Sequence, residues 1–116
     1  MPKYVLLVLT NAADGRDADF NDWYDQRHLP DVLDVPGMIS AQRLELAPLQ
    51  RKPPPYPYRY AAIYNIETDD LAAVMAEMTR RSGTDAMLLS DAMDNDRKAW
   101  VYQTLGPEQF PSKSGA

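Results

Sequence analysis

The first strand of this chain constrains the fold most, because it is apolar on both of its faces. Residues 3–10 contain six successive apolar or aromatic side chains, and the turn-rich sequence Asn-Ala-Ala-Asp-Gly follows them. This pattern predicts a short β-strand, in which side chains alternate between the two faces. One face carries Tyr4, Leu6 and Val8, and the other carries Val5, Leu7 and Leu9. Such a strand needs cover on both sides, and a single layer of helices covers only one.

A helix is predicted to follow, with Asp17 as its N-cap. Phe20, Tyr24 and His28 recur at positions i, i+4 and i+8, so they share one stripe of this helix. Pro30 disfavours helical geometry at the residue before it. We therefore expect the regular helix to end or bend at about His28.

Three further strands and a second helix complete the pattern. Alternating apolar residues predict the strands at residues 38–47, 58–66 and 99–105. The second helix precedes the last strand, with Thr68 or Asp69 as its N-cap and Gly83 just past its end. Its apolar stripe consists of Leu71, Val74, Met75 and Met78. Short helical pieces are expected at residues 31–35 and 85–96, and an extended proline-rich connection at residues 48–57.

The order strand, helix, strand, strand, helix, strand is the βαββαβ pattern of a ferredoxin-like sandwich. In this α+β fold an antiparallel four-stranded sheet carries helices on one face. A chain of 116 residues has room for one such domain, which we place at residues 1–105, with residues 106–116 as a loosely held C-terminal tail. The other face of the sheet would present apolar side chains to water. We therefore expect a symmetric homodimer that packs the two sheets face to face.

The composition excludes several classes of site and partner. There is no Cys and only one His, which excludes disulfides and thiolate sites and argues against a zinc site. The net charge is −5 and the basic residues are scattered, which argues against nucleic acid as a partner. The apolar run near the N-terminus is too short for a membrane span and lacks the cleavage site of a signal peptide. We expect a cytoplasmic protein with no membrane contact, no metal and no cofactor.

Two segments carry a resemblance to a known superfamily. They are Asn-Asp-Trp-Tyr-Asp-Gln-Arg-His-Leu-Pro at residues 21–30 and Val-Pro-Gly-Met-Ile-Ser-Ala-Gln-Arg at residues 35–43. Together with the element order over residues 3–105, they resemble the dimeric α+β barrel superfamily, and within it the EthD-like branch. The resemblance implies a homodimer whose sheets form a barrel, with a pocket in each subunit between the sheet and the first helix. The superfamily hosts many chemistries, including haem enzymes, but the motif here does not resemble the haem-binding branches.

His28 is the residue that best fits acid–base chemistry, because an imidazole has an unperturbed pKa of about 6.5. In the family, the His of the matching His-Leu-Pro sequence looks like the acid–base or substrate-polarising group, and the resemblance implies this role for His28. The alternative is that His28 only bonds a backbone carbonyl where Pro30 interrupts the helix. Tyr24 lies one turn earlier, where its phenol could share a substrate oxygen. Asp25 either orients His28 from i−3 or lies in solvent.

Pocket walls and substrate contacts are expected from large aromatic residues and one cation. These candidate substrate-binding residues are Phe20, Trp23, Tyr60, Tyr64 and Arg43. An arginine on a strand, Arg43 or Arg59, could bind a carboxylate or enolate with two parallel hydrogen bonds. Salt bridges explain both arginines equally well.

Three functions stay open on the sequence. The first is a cofactor-independent enzyme, of the cyclase, isomerase, lyase or monooxygenase type, that acts on a hydrophobic aromatic or polyketide-like carbonyl compound through His28. The second is a non-catalytic accessory protein of a catabolic pathway that binds a hydrophobic small molecule. The third is a dimeric interaction domain whose proline-rich residues 48–57 contact a partner protein.

Overall fold

The structure, a computed structural model, describes residues 1–112 and consists of a four-stranded sheet and a helical layer. The strands are β1 (Lys3–Thr10), β2 (Met38–Glu45), β3 (Tyr60–Glu67) and β4 (Lys98–Gln103). The helical layer comprises α1 (Asp17–Trp23), a π-helical turn (Tyr24–His28), α2 (Leu29–Leu33) and α3 (Leu71–Arg81). Neighbouring strands are antiparallel in the order β2-β3-β1-β4. This is the strand order of a ferredoxin-like sandwich, so the predicted α+β fold is confirmed.

The helix-covered face of the sheet forms the core, and β3 shows its pattern most clearly. Four alternating residues of β3 are at most 5% exposed, namely Tyr60, Ala62, Tyr64 and Ile66. The residues between them are only partly buried. Phe20 and Tyr24 from the first helical stretch and Val74 from α3 pack against this face. Each large side chain buried here stabilises the fold by about 1.5–3 kcal/mol in transfer free energy.

Of the two outcomes expected at about His28, an end or a bend, the structure excludes the end: regular α-helix gives way to a π-helical turn at Tyr24–His28, and the helical stretch continues. Leu29 keeps helical dihedral angles, with φ −58° and ψ −51°, and its N–H bonds the carbonyl of Tyr24, five residues earlier. Pro30 lacks an N–H, and in a regular α-helix its ring collides with the carbonyl four residues before it. The wider π-helical turn relieves this collision. The helix therefore continues past the proline to Leu33.

The N-termini of the helices also differ from the predicted ones. Asp17 is the first helical residue of α1 and not its N-cap, and its carboxylate accepts a hydrogen bond of 2.6 Å from the Tyr60 hydroxyl. The N-cap of α3 is Asp70, whose carboxylate accepts from the N–H of Ala73 at 3.1 Å. Thr68, one of the two predicted caps, accepts from the N–H of Asp70 and so orients the chain that enters the helix. The other predicted cap, Asp69, lies between them and is exposed.

Residues 85–96 do not form the predicted short helix. They belong to an irregular stretch, residues 82–97, which we call the crossing segment. Three of its side chains each accept a hydrogen bond from the N–H two residues later, at 2.8–3.2 Å: Thr84, Ser90 and Asp94. Such local bonds offer the backbone an alternative to a helix. The carbonyl of Leu88 accepts from the indole N–H of Trp23 at 3.1 Å, which holds the segment against the first helical stretch.

The face of the sheet away from the helices is apolar and has no cover among residues 1–112. The β1–β4 register places Leu7 beside Trp100 and Val5 beside Tyr102 on this face. Trp100 and Tyr102 are 47% and 54% exposed. The second apolar face of β1 therefore extends into the neighbouring strand.

The remaining boundaries lie within two residues of the predicted ones for all four strands. Residues 46–59 form the expected connection without regular structure, and residues 104–112 are exposed and contain neither helix nor strand. The last four residues of the predicted tail, 113–116, lie outside the described part of the chain. The division into a domain at 1–105 and a tail stays a prediction. No helix within residues 1–112 is long and apolar enough to span a membrane.

Gly37, in the turn before β2, tests the packing of α3 on the sheet. Its φ is +101°, and a Cβ added there would lie 2.8 Å from Cγ2 of the buried Val74. We expect Gly37→Ala to lower the free energy of unfolding by about 1–3 kcal/mol, measured by urea denaturation. A Cβ at Gly106 meets nothing within 4 Å, so Gly106→Ala is the matched control and should leave stability unchanged. Equal effects of the two substitutions would contradict the packing described here.

Candidate functional site

A cavity of about 360 Å³ lies between the helix-covered face of the sheet and the helical layer. Its walls come from β1, β3, β4, α3, the first helical stretch and the crossing segment. Most of the lining is apolar and includes the methionines Met75, Met78, Met87 and Met93. The polar side chains at the cavity belong to Tyr24, His28, Tyr64, Thr79, Ser82 and Arg97. An apolar cavity of this volume with a few polar groups is typical of a small-molecule site.

Two tyrosine hydroxyls meet at the cavity. The hydroxyl oxygens of Tyr24 and Tyr64 are 2.9 Å apart and share a hydrogen bond. Burial raises the pKa of both phenols, so both stay protonated at neutral pH. Such a pair has two protons, and only one of them lies in the mutual bond. The other proton has no acceptor among residues 1–112.

His28 presents a neutral imidazole to the same cavity. Its ring stacks on Trp23 with centroids 4.7 Å apart, and it meets the edge of the Tyr24 ring at 4.9 Å. Its Nδ1 is buried and has no hydrogen-bond partner within residues 1–112. Burial lowers the pKa of His28 to about 4, because the charge of Asp31, which favours the imidazolium, does not compensate for lost solvation. A buried polar atom without a partner is costly to the fold.

The π-helical turn explains why Trp23 lies against His28. Residues five apart point about 140° away from each other around an α-helix, at 100° per residue. In a turn with i→i+5 bonding, they come close to one face. The helical stripe predicted from the sequence contained Tyr24 and His28, but the π turn adds Trp23 to it.

The structure brings only some of the predicted site residues to the cavity. Tyr24, His28 and Tyr64 line the cavity together. Phe20 is completely buried in the core, with its ring centroid 5.0 Å from that of Tyr60. Neither Phe20, Tyr60 nor Trp23 lines the cavity, so they support its walls from behind.

Arg43 and Asp25 pair with each other outside the cavity. The guanidinium of Arg43 bonds the Asp25 carboxylate at 2.9 Å and the Asn21 side chain at 2.8 Å. It also lies over the Tyr24 ring, 4.6 Å from the centroid. Asp25 therefore does not orient His28, and Arg43 is a support for Tyr24 and not a lining residue. The carboxylate whose charge acts on His28 is Asp31, which Arg27 holds at 2.9 Å.

Sequence reasoning missed Arg97 and the crossing-segment residues Met87 and Met93. Arg97 lies immediately before β4, and it shares a cavity wall with Ala99 and Val101 of that strand. The alternation of side chains in β4 could have indicated Arg97, because Arg97 lies two residues before Ala99 and so belongs to the same face. No local signal marks Met87 and Met93, because the crossing segment has no regular periodicity. Within residues 1–112, no group of three potential metal-ligating side chains comes together.

No family model matches the sequence, and no curated protein matches it. Solved structures share its fold. A protein of unknown function from Nitrosomonas europaea is 13% identical and superposes with a TM-score of 0.56, covering 96% of this chain and 97% of its own. A dimeric ferredoxin-like protein of unknown function from Thermobifida fusca YX is also 13% identical, with a TM-score of 0.52 and coverage of 89% and 92%.

A further neighbour is an ethyl tert-butyl ether d (EthD) family protein from Bacillus halodurans C-125. It is 12% identical, has a TM-score of 0.46, and covers 94% of this chain and 100% of its own. The neighbour from Thermobifida fusca YX, described as ferredoxin-like, agrees with the fold that the sequence resemblance implied. At these identities the comparisons concern the fold and not an activity.

The partly buried imidazole of His28 predicts a specific dependence of the folding stability on pH. The unfolded chain protonates His28 at about pH 6.5, whereas the folded chain does so only at about pH 4. Unfolding therefore takes up a proton in this range, and stability falls as the pH falls from about 6.5 to 4. We expect the wild type to lose about 3 kcal/mol more than His28→Phe between pH 7 and pH 4 in urea denaturation.

The phenylalanine variant retains a ring against Trp23 and all the acidic groups, so the difference between the two proteins isolates the imidazole. If the free energy of unfolding changed with pH in the same way for the two proteins, burial would not lower the pKa of His28.

Proposed function

We propose that the chain is a cofactor-independent enzyme that transfers protons on a small hydrophobic carbonyl compound bound in the cavity. The observation that carries the proposal is that an uncharged imidazole and a tyrosine pair with one unshared hydroxyl proton line the same apolar cavity. A base and an oxygen-directed donor are the two groups that enolisation requires. The apolar walls suit an aromatic or polyketide-like compound and keep water from the reacting atoms.

The reaction begins when a neutral nitrogen of His28 removes a proton from the carbon next to the carbonyl group. The electron pair of the broken C–H bond forms a C=C bond, and the carbonyl π electrons move to oxygen. The enolate oxygen accepts the hydrogen bond from the Tyr24–Tyr64 pair. In a compound whose enolate is conjugated with a further C=C bond, the imidazolium then gives the proton to the far carbon of that system, the double bond shifts, the carbonyl group is restored, and an isomerisation is complete. If the enolate carbon first forms or breaks a bond, the outcome is a cyclisation or a lyase reaction.

A pKa of about 4 makes His28 a weak base before the reaction starts. The enolate that forms beside the ring supplies a negative charge, and a negative charge at close range raises the pKa of an imidazole. The basicity of His28 therefore increases as the proton transfer proceeds. The ring also begins uncharged at neutral pH, so the fraction in the active form does not limit the rate above about pH 5.

Deuterium exchange tests the proposal without the natural substrate. We expect the wild type in D2O to accelerate exchange of the benzylic α-protons of 2-tetralone, an apolar aromatic ketone, as followed by NMR. His28→Gln should exchange these protons about 10²–10⁴-fold more slowly than the wild type, because this factor is the usual contribution of a positioned base. The double variant Tyr24→Phe, Tyr64→Phe should lose about 10²–10³-fold. Removing both hydroxyls leaves no unpaired buried donor, so the double variant should fold.

Gln26→Ala is the matched control, because Gln26 lies within the same π-helical turn but is exposed. It should exchange 2-tetralone at the wild-type rate. If the wild type binds 2-tetralone with chemical-shift changes at His28 but accelerates no exchange, the alternative function holds: a non-catalytic EthD-like accessory or ligand-binding protein. If it neither binds nor exchanges the ketone, the proposal is wrong.

We also propose that the chain forms a homodimer through the helix-free face of the sheet. Leu7, Trp100 and Tyr102 lie on this face, and Trp100 is 47% exposed. An exposed apolar face of this kind is typical of an association surface. The neighbour from Thermobifida fusca YX is described as dimeric, which supports the same assembly here. The cytoplasmic location stays a prediction from the sequence.

Analytical ultracentrifugation at micromolar concentration tests the dimer. We expect the wild type to sediment with the mass of two chains, and Trp100→Glu to shift toward one chain because it places a charge in the apolar face. Ala72→Glu introduces the same charge on an exposed position of α3 and should stay dimeric. A wild-type mass of one chain would contradict the proposal.

A further inference from the structure

Arg97 differs from the other arginines around the helical layer, because it has no carboxylate partner within residues 1–112. The paired arginines are Arg16, Arg27, Arg43, Arg59, Arg80 and Arg81, each within 3.3 Å of an Asp or Glu oxygen. Even the neighbouring Lys98 lies 3.4 Å from Asp96. Among residues 1–112, Arg51 in the connection before β3 also has no carboxylate within 4 Å, but it does not line this cavity.

The charge of the cavity lining is the reverse of that of the whole protein. The chain has 17 acidic and 12 basic residues. No Asp or Glu lines the cavity, and Arg97 is its one permanently charged side chain within the described residues. An anion that enters the cavity would therefore meet a cation and no carboxylate.

The position of Arg97 follows from the alternation of β4. Ala99 and Val101 face the helices, opposite Val8 and Leu6 of β1, and both line the cavity. Arg97 is one step earlier in the same alternation, whereas Lys98 belongs to the opposite face. Arg97 is exposed, while Tyr24 and Tyr64 are buried. The guanidinium thus lies at the mouth of the cavity and the hydroxyl pair at its inner end.

The electrostatic effect of Arg97 reaches the inner groups. Its positive charge contributes to lowering the pKa of His28, and it opposes the burial that raises the pKa of Tyr24. Both effects are those of a cation acting across the cavity, and at His28 the charge of Asp31 opposes it.

We propose that the compound bound in this cavity carries a carboxylate, which the guanidinium of Arg97 binds at the mouth, in addition to the carbonyl group at the inner end. This inference rests on the proposed function, because it names the substrate class of the same site. A guanidinium binds a carboxylate through two parallel hydrogen bonds, which suits the planar fork of Arg97. The methionine-rich wall would hold the apolar body between the two polar ends, since methionine adapts to varied shapes.

Two probes of equal shape and different charge test the inference by isothermal titration calorimetry: 2-naphthoate and 2-naphthamide. We expect the wild type to bind the carboxylate about tenfold or more tightly than the amide. Arg97→Gln should reduce this preference to within about twofold while the affinity for the amide stays unchanged. Lys98→Gln is the matched control, because it removes the adjacent cation from the other face of the sheet, and it should retain the full preference.

The outcomes separate this inference from the proposed function. If the wild type binds both probes equally, or if Lys98→Gln loses the preference as much as Arg97→Gln does, the carboxylate inference is wrong and the cavity remains a ligand site. If neither probe binds to the wild type, the cavity is not a site for apolar aromatic compounds, and both the inference and the proposed function are wrong. A preference that depends on Arg97 alone, and that decreases as salt rises, supports the inference.

Discussion

The hydrogen bond between the hydroxyls of Tyr24 and Tyr64 is the contact on which the candidate site depends. It joins the helical layer to the central strand β3, and both residues line the cavity. A buried hydroxyl without a partner costs about 1–3 kcal/mol, so two phenols placed here need each other. Their mutual hydrogen bond gives each buried hydroxyl a partner and leaves one hydroxyl proton unshared. Stability and candidate chemistry therefore use the same two side chains.

The π-helical turn determines which groups surround this pair. Pro30 prevents a regular α-helical turn before it, and the chain responds by widening the turn from Tyr24 to His28. The widened turn stacks the imidazole on Trp23 and leaves its Nδ1 without a protein partner. A proline that was expected to end or bend a helix thus helps to shape the site. π-Helical turns are frequent at functional positions, which agrees with the role proposed for His28.

The fold could be predicted from the sequence to within a few residues, whereas the site could be predicted only in part. The alternation of Tyr60, Tyr64 and their neighbours placed them on one face of β3 but did not indicate which face of the sheet lines the pocket, and Tyr24 and His28 were found by helical spacing. Among the strand-borne arginines the sequence favoured Arg43 for a substrate contact, whereas Arg97 lines the cavity. Arg43 and Arg97 are the same residue type on the same kind of element, and only their neighbours distinguish them: Arg43 faces Asp25, and Arg97 faces the cavity.

The sequence by itself determined the order of the elements, the apolar second face of β1 and the choice of a single histidine as candidate base. These features are periodic or compositional, so they can be read along the chain. Only the tertiary structure decided that the helix passes Pro30, that the crossing segment lines the cavity and that Arg97 has no carboxylate partner within residues 1–112. The way the elements meet at the cavity depends on contacts between residues far apart in sequence, such as Trp23 with Leu88 and Tyr24 with Tyr64. Local sequence patterns do not show which distant group will bond a given polar atom, and the site is formed by such pairings.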